Sequence, residues 1–490
     1  MKKHFTFAIR VIIFALITSF VIVLVNYVIT PKKYFEDLWP TTSTYKGFYK
    51  MDRDSIDVLF LGSSHAAAAF NPQVIYDKYG ITSYNLACEQ QNLVVSYYWL
   101  QEALKYQKPS AVILDAYMLY PFDPSEPLNT SEAFTRMAMD AMKWSKVKWE
   151  AIHDICRLDP KQAVNSYIFQ NVRFHNRWMD LNENDFEFVK LERHYELKGF
   201  SALGQRGTSD SDFEPIIVSN LEAYAEPEEL MMQYLDKIVT LCDDNEIDLI
   251  ITKTPSASWD EFRHNTIQQY ANDHNVEFCD FNEYIAYEGS GFKWKKDMND
   301  DWHTNVWGAK RLSRYIAKLL QDDYSVEGEH YDAQYADTED YYQHVVEDCK
   351  ISNIKNIEDY LEEIDKPRYT VLVAGKNDIS FCATDEVKKA FNKMGFELPT
   401  DEYEGYYGVK SDEQVSQDYD RAALHYVGSA RNKLVDYAVT SKGYYAGDAC
   451  SIKIDDVEYA KQGKGINIVV YCNDSRRVVD SVVYDGNMNR

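Results

Sequence analysis

Residues 56–65 read Ile-Asp-Val-Leu-Phe-Leu-Gly-Ser-Ser-His. Residues 56–61 are a short apolar run that stops at a glycine, the pattern of a strand buried on both faces. A serine just after such a strand, at the start of a helix, presents its hydroxyl at the rim of a sheet. There the helix amino terminus offers N–H groups to a developing oxyanion. Outward from this stretch, strand and helix alternate. Residues 72–79 read as helix, 82–86 as a second strand and 93–106 as an amphipathic helix halted before Pro109. Residues 111–114, 247–252 and 276–281 complete five strands. Short apolar strands separated by helices predict an α/β fold whose parallel sheet is covered on both faces, with its site at the carboxyl ends of the strands.

The chain has 490 residues, enough for about three domains. Hydrophobic residues make up 45% and charged residues 27%, a globular composition that excludes global disorder. Its net charge of −26 excludes nucleic acid as a natural partner, because phosphate backbones repel such a surface. The first 33 residues run against that trend, with five Lys/Arg and no Asp/Glu. Within them, residues 11–30 (VIIFALITSFVIVLVNYVIT) carry no charge. At 1.5 Å per residue that run reaches roughly 30 Å, one hydrocarbon core. A cleavable signal peptide is the rival reading, but Pro31, Lys32 and Lys33 follow the run rather than a small-x-small site. The expectation is an uncleaved signal anchor. Residues 1–33 then form a cytoplasmic stub and a single pass through the cell membrane, and the acidic bulk lies outside the cytoplasm.

Residues 121–245 interrupt the alternation and read as a mostly helical insertion carrying Trp144, Trp149 and Trp178. These aromatics form the core of a subdomain, or else the insertion shapes a substrate cleft or docks a partner. All nine tryptophans lie at or before Trp307, and the acidic residues 326–360 read as a linker to a separate C-terminal domain. In that domain 368–375 and 466–472 read as strands, with a helix over 385–394 stopped by Gly395. The eight cysteines form no C-x-x-C pair, which argues against a zinc ribbon or a thioredoxin-type site. They pair as disulfides or stay buried as free thiols.

A second stretch bears on chemistry. Residues 300–305 read Asp-Asp-Trp-His-Thr-Asn and lead into an amphipathic helix over 310–320. An Asp three residues before a His turns its carboxylate onto the imidazole, fixing the tautomer and stabilising the imidazolium formed when the His takes a serine's proton. Asp301 takes that role instead of Asp300 if the loop twists. His65 is a second proton carrier or a satisfied helix-start histidine, and Lys253 holds an anionic polymer or is a plain loop lysine. Metal-assisted hydrolysis through Asp300, Asp301 and His303 lacks a second cluster at ligand spacing, so no metal is expected.

Ser64 after the first strand, five strands, and D-x-x-H before the last helix together resemble the SGNH (GDSL-like) hydrolase family. Asn71-Pro72, Tyr84-Asn85-Leu86-Ala87 and Lys253-Thr254-Pro255 add to the likeness, which spans roughly residues 55–320. The chain looks like the cell-envelope branch that includes the D-alanine transfer protein of teichoic acid modification. The resemblance implies a flavodoxin-like three-layer domain over 50–325, with Ser64 as nucleophile, His303 as general base and acid, and Asp300 as its orienting carboxylate. No cofactor is implied. The family's first-block Asp is Ser63 here, its second-block Gly falls at Gln90, and its third-block Asn has no match, since 114–117 read Leu-Asp-Ala-Tyr. The main-chain N–H groups of Ser64 and Gln90 and the side chain of Gln91 are the substitute oxyanion donors, with Asn85 and Lys253 on the substrate side.

By the same resemblance the substrate is the O-acyl group of a cell-surface polysaccharide, the reaction acyl transfer or ester hydrolysis, and a possible partner a membrane-bound O-acyltransferase. The departures at Gln90 and in the third block favour an alternative, an inactive glycan-binding or assembly protein of the cell envelope. Residues 463–471 and 478–485 resemble the interleukin-like EMT inducer domain, assigned here to 361–490, which implies carbohydrate binding.

Overall fold

The computed structural model describes residues 2–31, 41–181, 183–186, 196–207, 209, 211–220, 222–328, 332–399, 403–430 and 435–490. Lys32 and Lys33, the flank after the apolar run, lie outside the described residues. The chain divides into two compact units, described separately. The first comprises Met1–Ser201, Glu214–Gly291 and Leu312–Asp332, and the second Ala202–Phe213, Phe292–Arg311 and Ala333–Arg490.

The first unit is built on strands β1 (Val58–Gly62), β2 (Ser83–Ala87), β3 (Ala111–Asp115), β4 (Asp248–Lys253) and β5 (Glu277–Asp280). They pair in parallel in the order β2-β1-β3-β4-β5, so the parallel sheet expected from the sequence is present and its order is flavodoxin-like. Its helices include α1 (Lys2–Ile29), α2 (Ser64–Ala69), α3 (Pro72–Tyr79), α4 (Leu93–Ala103), α5 (Glu229–Asp243), α6 (Glu261–His274) and most of α7 (Val306–Tyr324). Successive strand residues point to opposite faces. On one face Leu59, Leu61, Val112, Leu114, Leu249 and Ile251 join a core with Trp99 of α4 and Leu235 and Ile238 of α5. On the other, Phe60 stacks on Phe70 with ring centroids 4.8 Å apart.

Local signals set the helix starts. Asn71 accepts hydrogen bonds from the N–H groups of Gln73 and Val74, Pro72 opens α3, and Gly80, in a left-handed conformation, closes it. Asn92 caps α4 through the Val95 N–H.

Between β3 and α5 the described residues include helices at Glu132–Ala141, Lys146–Leu158, Val164–Ile168 and Asn171–Phe174, while 201–228 carry none. The expected aromatic core is not there. Trp144, Trp149 and Trp178 are 55%, 47% and 67% exposed, because Lys146–Leu158 buries Ala151, Ile152 and Ile155 instead. Before them all, α1 holds a 23-residue apolar stretch, Phe7–Ile29, none of it buried, long and apolar enough to cross a membrane.

The second unit is β-rich, with helices α8 (Glu339–Ile351), α9 (Ile357–Ile364) and α10 (Asp385–Lys393). Its ten strands are β6 (Tyr369–Lys376), β7 (Gly405–Ser411), β8 (Gln414–Asp420), β9 (Leu424–Ala430), β10 (Val435–Lys442), β11 (Ala449–Ile454), β12 (Val457–Glu458), β13 (Gly465–Cys472), β14 (Arg477–Tyr484) and β15 (Met488–Asn489). They form one sheet in which β6 lies between β13 and β7. Val371, Val373, Ile466, Ile468 and Val470 pack under α9 and α10, while Leu372, Ala374, Val469 and Tyr471 pack with Val439 and Ile452 on the opposite face. The stretch read as a linker, 326–360, contains α8, whose Tyr341, Tyr342 and Val345 are buried. Tyr341 and Tyr342 supply part of its buried face and acids are spaced through it, which weakens the helical period in a hydropathy reading.

Candidate active site

In the first unit β1 ends at Gly62, whose φ is +139°. A Cβ there would stand 2.6 Å from Asp115 Cβ, so only glycine lets the chain turn at this point. Ser63 caps α2, its Oγ accepting from the His65 N–H at 3.3 Å and donating to Asp115 Oδ2 at 2.9 Å. Ser64 follows as the first helical residue, 6% exposed. The parallel register sets Gly62 beside Ala87, so the turn after β1 and the turn after β2 share one edge of the sheet. Asp115 and Lys253 terminate β3 and β4 along that edge.

This edge rests on buried charge. Burial pushes the Asp115 carboxyl up, against Lys253 and the Ser63 hydroxyl, which favour its ionised form. Burial likewise pushes the Lys253 amine down to about 8, against the pull of Asp115 and Asp280. His65 stacks on Tyr117 with ring centroids 3.7 Å apart, and its Nδ1 lies 3.3 Å from Thr254 Oγ1. It is buried under the turn, packed on Tyr117.

The residues expected to serve substrate fare unevenly. Gln90 has a left-handed φ of +50°, its side chain accepts from Thr130 Oγ1 at 2.9 Å, and among the described residues no acceptor meets its main-chain N–H. Gln91 does not fit an oxyanion donor, and the expectation is corrected. Its Oε1 accepts from the Tyr45 hydroxyl, and its Nε2 donates to Leu86 O at 3.0 Å and Ser96 Oγ at 2.9 Å. A buried amide with these partners has none left to lend to a reaction.

Asn85 is also corrected. It is fully buried, and its Nδ2 donates to Ala66 O at 2.8 Å and Phe70 O at 3.1 Å, so it ties down α2 rather than touching substrate. Lys253 is fully buried as well, its Nζ donating to Thr254 O at 2.6 Å, which removes it as a surface contact for an anionic polymer.

In the second unit the loop before α7 holds the acid–base pair. His303 Nδ1 lies 3.1 Å and 3.0 Å from the two Asp300 carboxylate oxygens. Asp300 Oδ1 also accepts from the N–H groups of Trp302 and His303, each at 2.8 Å, and Asn299 Nδ2 donates to Oδ2 at 3.1 Å. Partial burial alone would raise the Asp300 pKa, but these hydrogen bonds and the imidazole hold it down at about 2. An ionised carboxylate only accepts, so Nδ1 faces it as the donor. Asp301 turns away, accepting from Ser209 Oγ at 2.7 Å and Ser211 N at 3.3 Å, so Asp300 is the partner of His303.

Asn305 is the residue that sequence reading passed over. Its Oδ1 caps α7 through the N–H groups of Trp307 and Gly308, while its Nδ2 donates to Gln205 O, Lys296 O and Met298 O, closing the loop around the dyad. An Asn at a helix start was the available signal. Among the described residues no group of three His, Cys, Asp or Glu side chains could hold a metal ion.

No protein-family model matches the chain, and no curated protein matches it. Among solved structures it is similar to a protein from Desulfitobacterium hafniense DCB-2 whose title gives it as a candidate lipolytic protein of the G-D-S-L family. That likeness covers 54% of this chain and 98% of the other, at 14% identity and a TM-score of 0.25. A likeness at that level carries no argument here, and the fold stands on the strand order and register described above.

Proposed function

We propose that the chain is a membrane-anchored, extracytoplasmic SGNH-type serine acyl transferase or esterase, with Ser64, His303 and Asp300 as its triad. The observation that carries the reading is the Asp300–His303 pair, a carboxylate held ionised against Nδ1 so that Nε2 is the base. The Ser64 turn supports it, with its serine at the first residue of a helix after a buried strand. In this scheme His303 Nε2 takes the Ser64 hydroxyl proton as Oγ attacks the acyl carbonyl. The oxyanion meets main-chain N–H groups at Ser64 and Gln90. The ester C–O bond breaks as the imidazolium returns the proton to the leaving alcohol oxygen, and an acyl-Ser64 remains. A sugar hydroxyl or water then repeats the cycle on that intermediate, giving transfer or hydrolysis.

The acyl groups are proposed to be those of a cell-surface polysaccharide, with a membrane-bound O-acyltransferase as donor partner. Carbohydrate binding is proposed for the second unit, where Tyr444 and Tyr445 are 53% and 67% exposed and supply rings on which sugars stack. The alternative, a glycan-binding or assembly protein without catalysis, is favoured by Gln91, whose amide is committed to internal partners. A fluorophosphonate probe separates the two. The wild-type chain should label and Ser64→Ala should not. Equal labelling of both would overturn Ser64 as nucleophile, and labelling of neither would leave the binding protein.

A further inference from the structure

The insertion presents an apolar surface in an unexpected place. Trp178, Met179 and Phe186 are 67%, 62% and 65% exposed, with Phe169 and Val172 beside them in sequence and also exposed. Exposed apolar side chains of this size, gathered in one short segment, are what contact with a partner or a membrane would cover. Two hydrogen bonds fix where these lie. The Asn171 N–H donates to Asn26 Oδ1 at 3.0 Å, and Arg177 Nη1 donates to Ile29 O at 2.7 Å, both acceptors in the last turn of α1. The helix at Asn171–Phe174 and the turn at His175–Met179 pack against α1 there. The apolar stretch of α1 has 23 residues, about 34 Å at 1.5 Å each, so a spanning α1 brings its last turn to the headgroup level.

We propose that residues 168–181 and 183–186 form an interfacial element that seats Trp178, Met179 and Phe186 in the headgroup–acyl boundary of the bilayer that α1 crosses. The proposal rests on α1 spanning that bilayer. Trp at this depth keeps its ring in the apolar layer and its N–H in the wet one. The attraction is hydrophobic and not electrostatic. Arg173 pairs with Asp140 at 2.5 Å and Arg177 with Asp185 at 2.8 Å, so both guanidinium groups are neutralised within the protein, and the chain as a whole is acidic. Neutral lipid should therefore suffice, and salt should not release the contact. A single helix leaves the unit it carries free to tilt, and a second contact beside the helix end restricts that tilt.

The test uses the full-length chain in phosphatidylcholine vesicles, with and without lipid brominated near the headgroup. The Trp178 emission is taken as the difference between wild type and Trp178→Phe, a change on an exposed ring that leaves the fold intact. It should be about twofold or more weaker in brominated vesicles, at low and high salt alike, as expected for a ring at the headgroup–acyl boundary. Equal emission in both vesicles overturns the proposal, as does quenching that appears only with anionic lipid or only with a second membrane protein present. Resistance to alkaline carbonate extraction reads the span of α1 separately. Resistance with unquenched Trp178 removes the interfacial element alone, whereas extraction removes the span on which it rests.

Discussion

Ser63, Asp115 and Lys253 put a hydroxyl, a carboxyl and an amine under the turn that carries Ser64, all of them buried. Taking one charge away leaves the other without compensation, and that loss typically costs about 3 kcal/mol or more. Lys253→Met should lower stability by about that amount in urea unfolding. The amine also sets a pH signature. Its folded pKa of about 8 lies below its unfolded value of about 10.4, so between those limits the unfolded chain binds more protons and stability rises with pH. The gap between wild type and Lys253→Met should widen across that window, and a flat gap would remove the buried-amine account. Asp300 has the opposite sense. Held at about 2, it contributes its stabilisation above its unfolded pKa and loses it as pH falls through about 2, so the Asp300 carboxylate stays ionised at neutral pH. Asp300→Asn should cut ester hydrolysis by about 10³- to 10⁴-fold through loss of the tautomer. The same change should also lower the thermal midpoint at neutral pH, modestly, since the ionised carboxylate's contribution is lost but is screened at a side chain that is 40% exposed. A loss under about tenfold would mean that the carboxylate does not orient the base.

The turn from β1 into α2 is an element whose shape depends on one missing side chain. Gly62→Ala places a methyl 2.6 Å from Asp115 Cβ at a φ of +139°, so backbone and strand must both move. A stability loss of about 2 kcal/mol or more is expected, with probe labelling at Ser64 falling further than stability alone explains. Retained labelling at wild-type rate would show that the turn tolerates the shift. Elements of this kind were legible in the sequence. β1 to β5 are short apolar runs because both faces of the sheet are covered, and Gly62-Ser63-Ser64 punctuates the first of them. β7 to β12 were not. β8 reads Gln-Val-Ser-Gln-Asp-Tyr-Asp with no buried residue, so a strand held by its neighbours' hydrogen bonds leaves no hydropathy signal. Asp300 and His303 were legible because their pairing is local, three residues apart. The fate of Gln91 depends on Tyr45, 46 residues earlier, and Lys253 is sealed by burial that no local pattern announces.

At the scale of the whole molecule, the two units do not follow chain order. Residues 202–213 and 292–311 belong with the C-terminal sheet, tied there by contacts such as Asn353 Nδ2 donating to Gly204 O at 2.7 Å. Gly204 is required at that crossing, since a Cβ would lie 2.9 Å from Cys349 Cα. Tryptophan content marks a boundary by composition, whereas these ties are long-range and invisible to it. Cysteine distribution is equally mute about pairing, and here the structure decides. All eight cysteines are free, seven of them buried. Burial pushes the thiols of Cys88 and Cys242 up to about 12 and those of Cys382 and Cys450 up to about 11. The reactive species is the thiolate, so folded chain near neutral pH should react slowly with iodoacetamide, with Cys156, the half-buried one, labelled first. Denatured without reductant, the chain should gain eight labels by mass, and reductant should leave the thermal midpoint of the native protein unchanged. A shortfall in labels that reductant restores would reveal disulfides and overturn the free-thiol assignment, and with it the packing of Cys349 against Gly204 that joins the distant segments of the second unit.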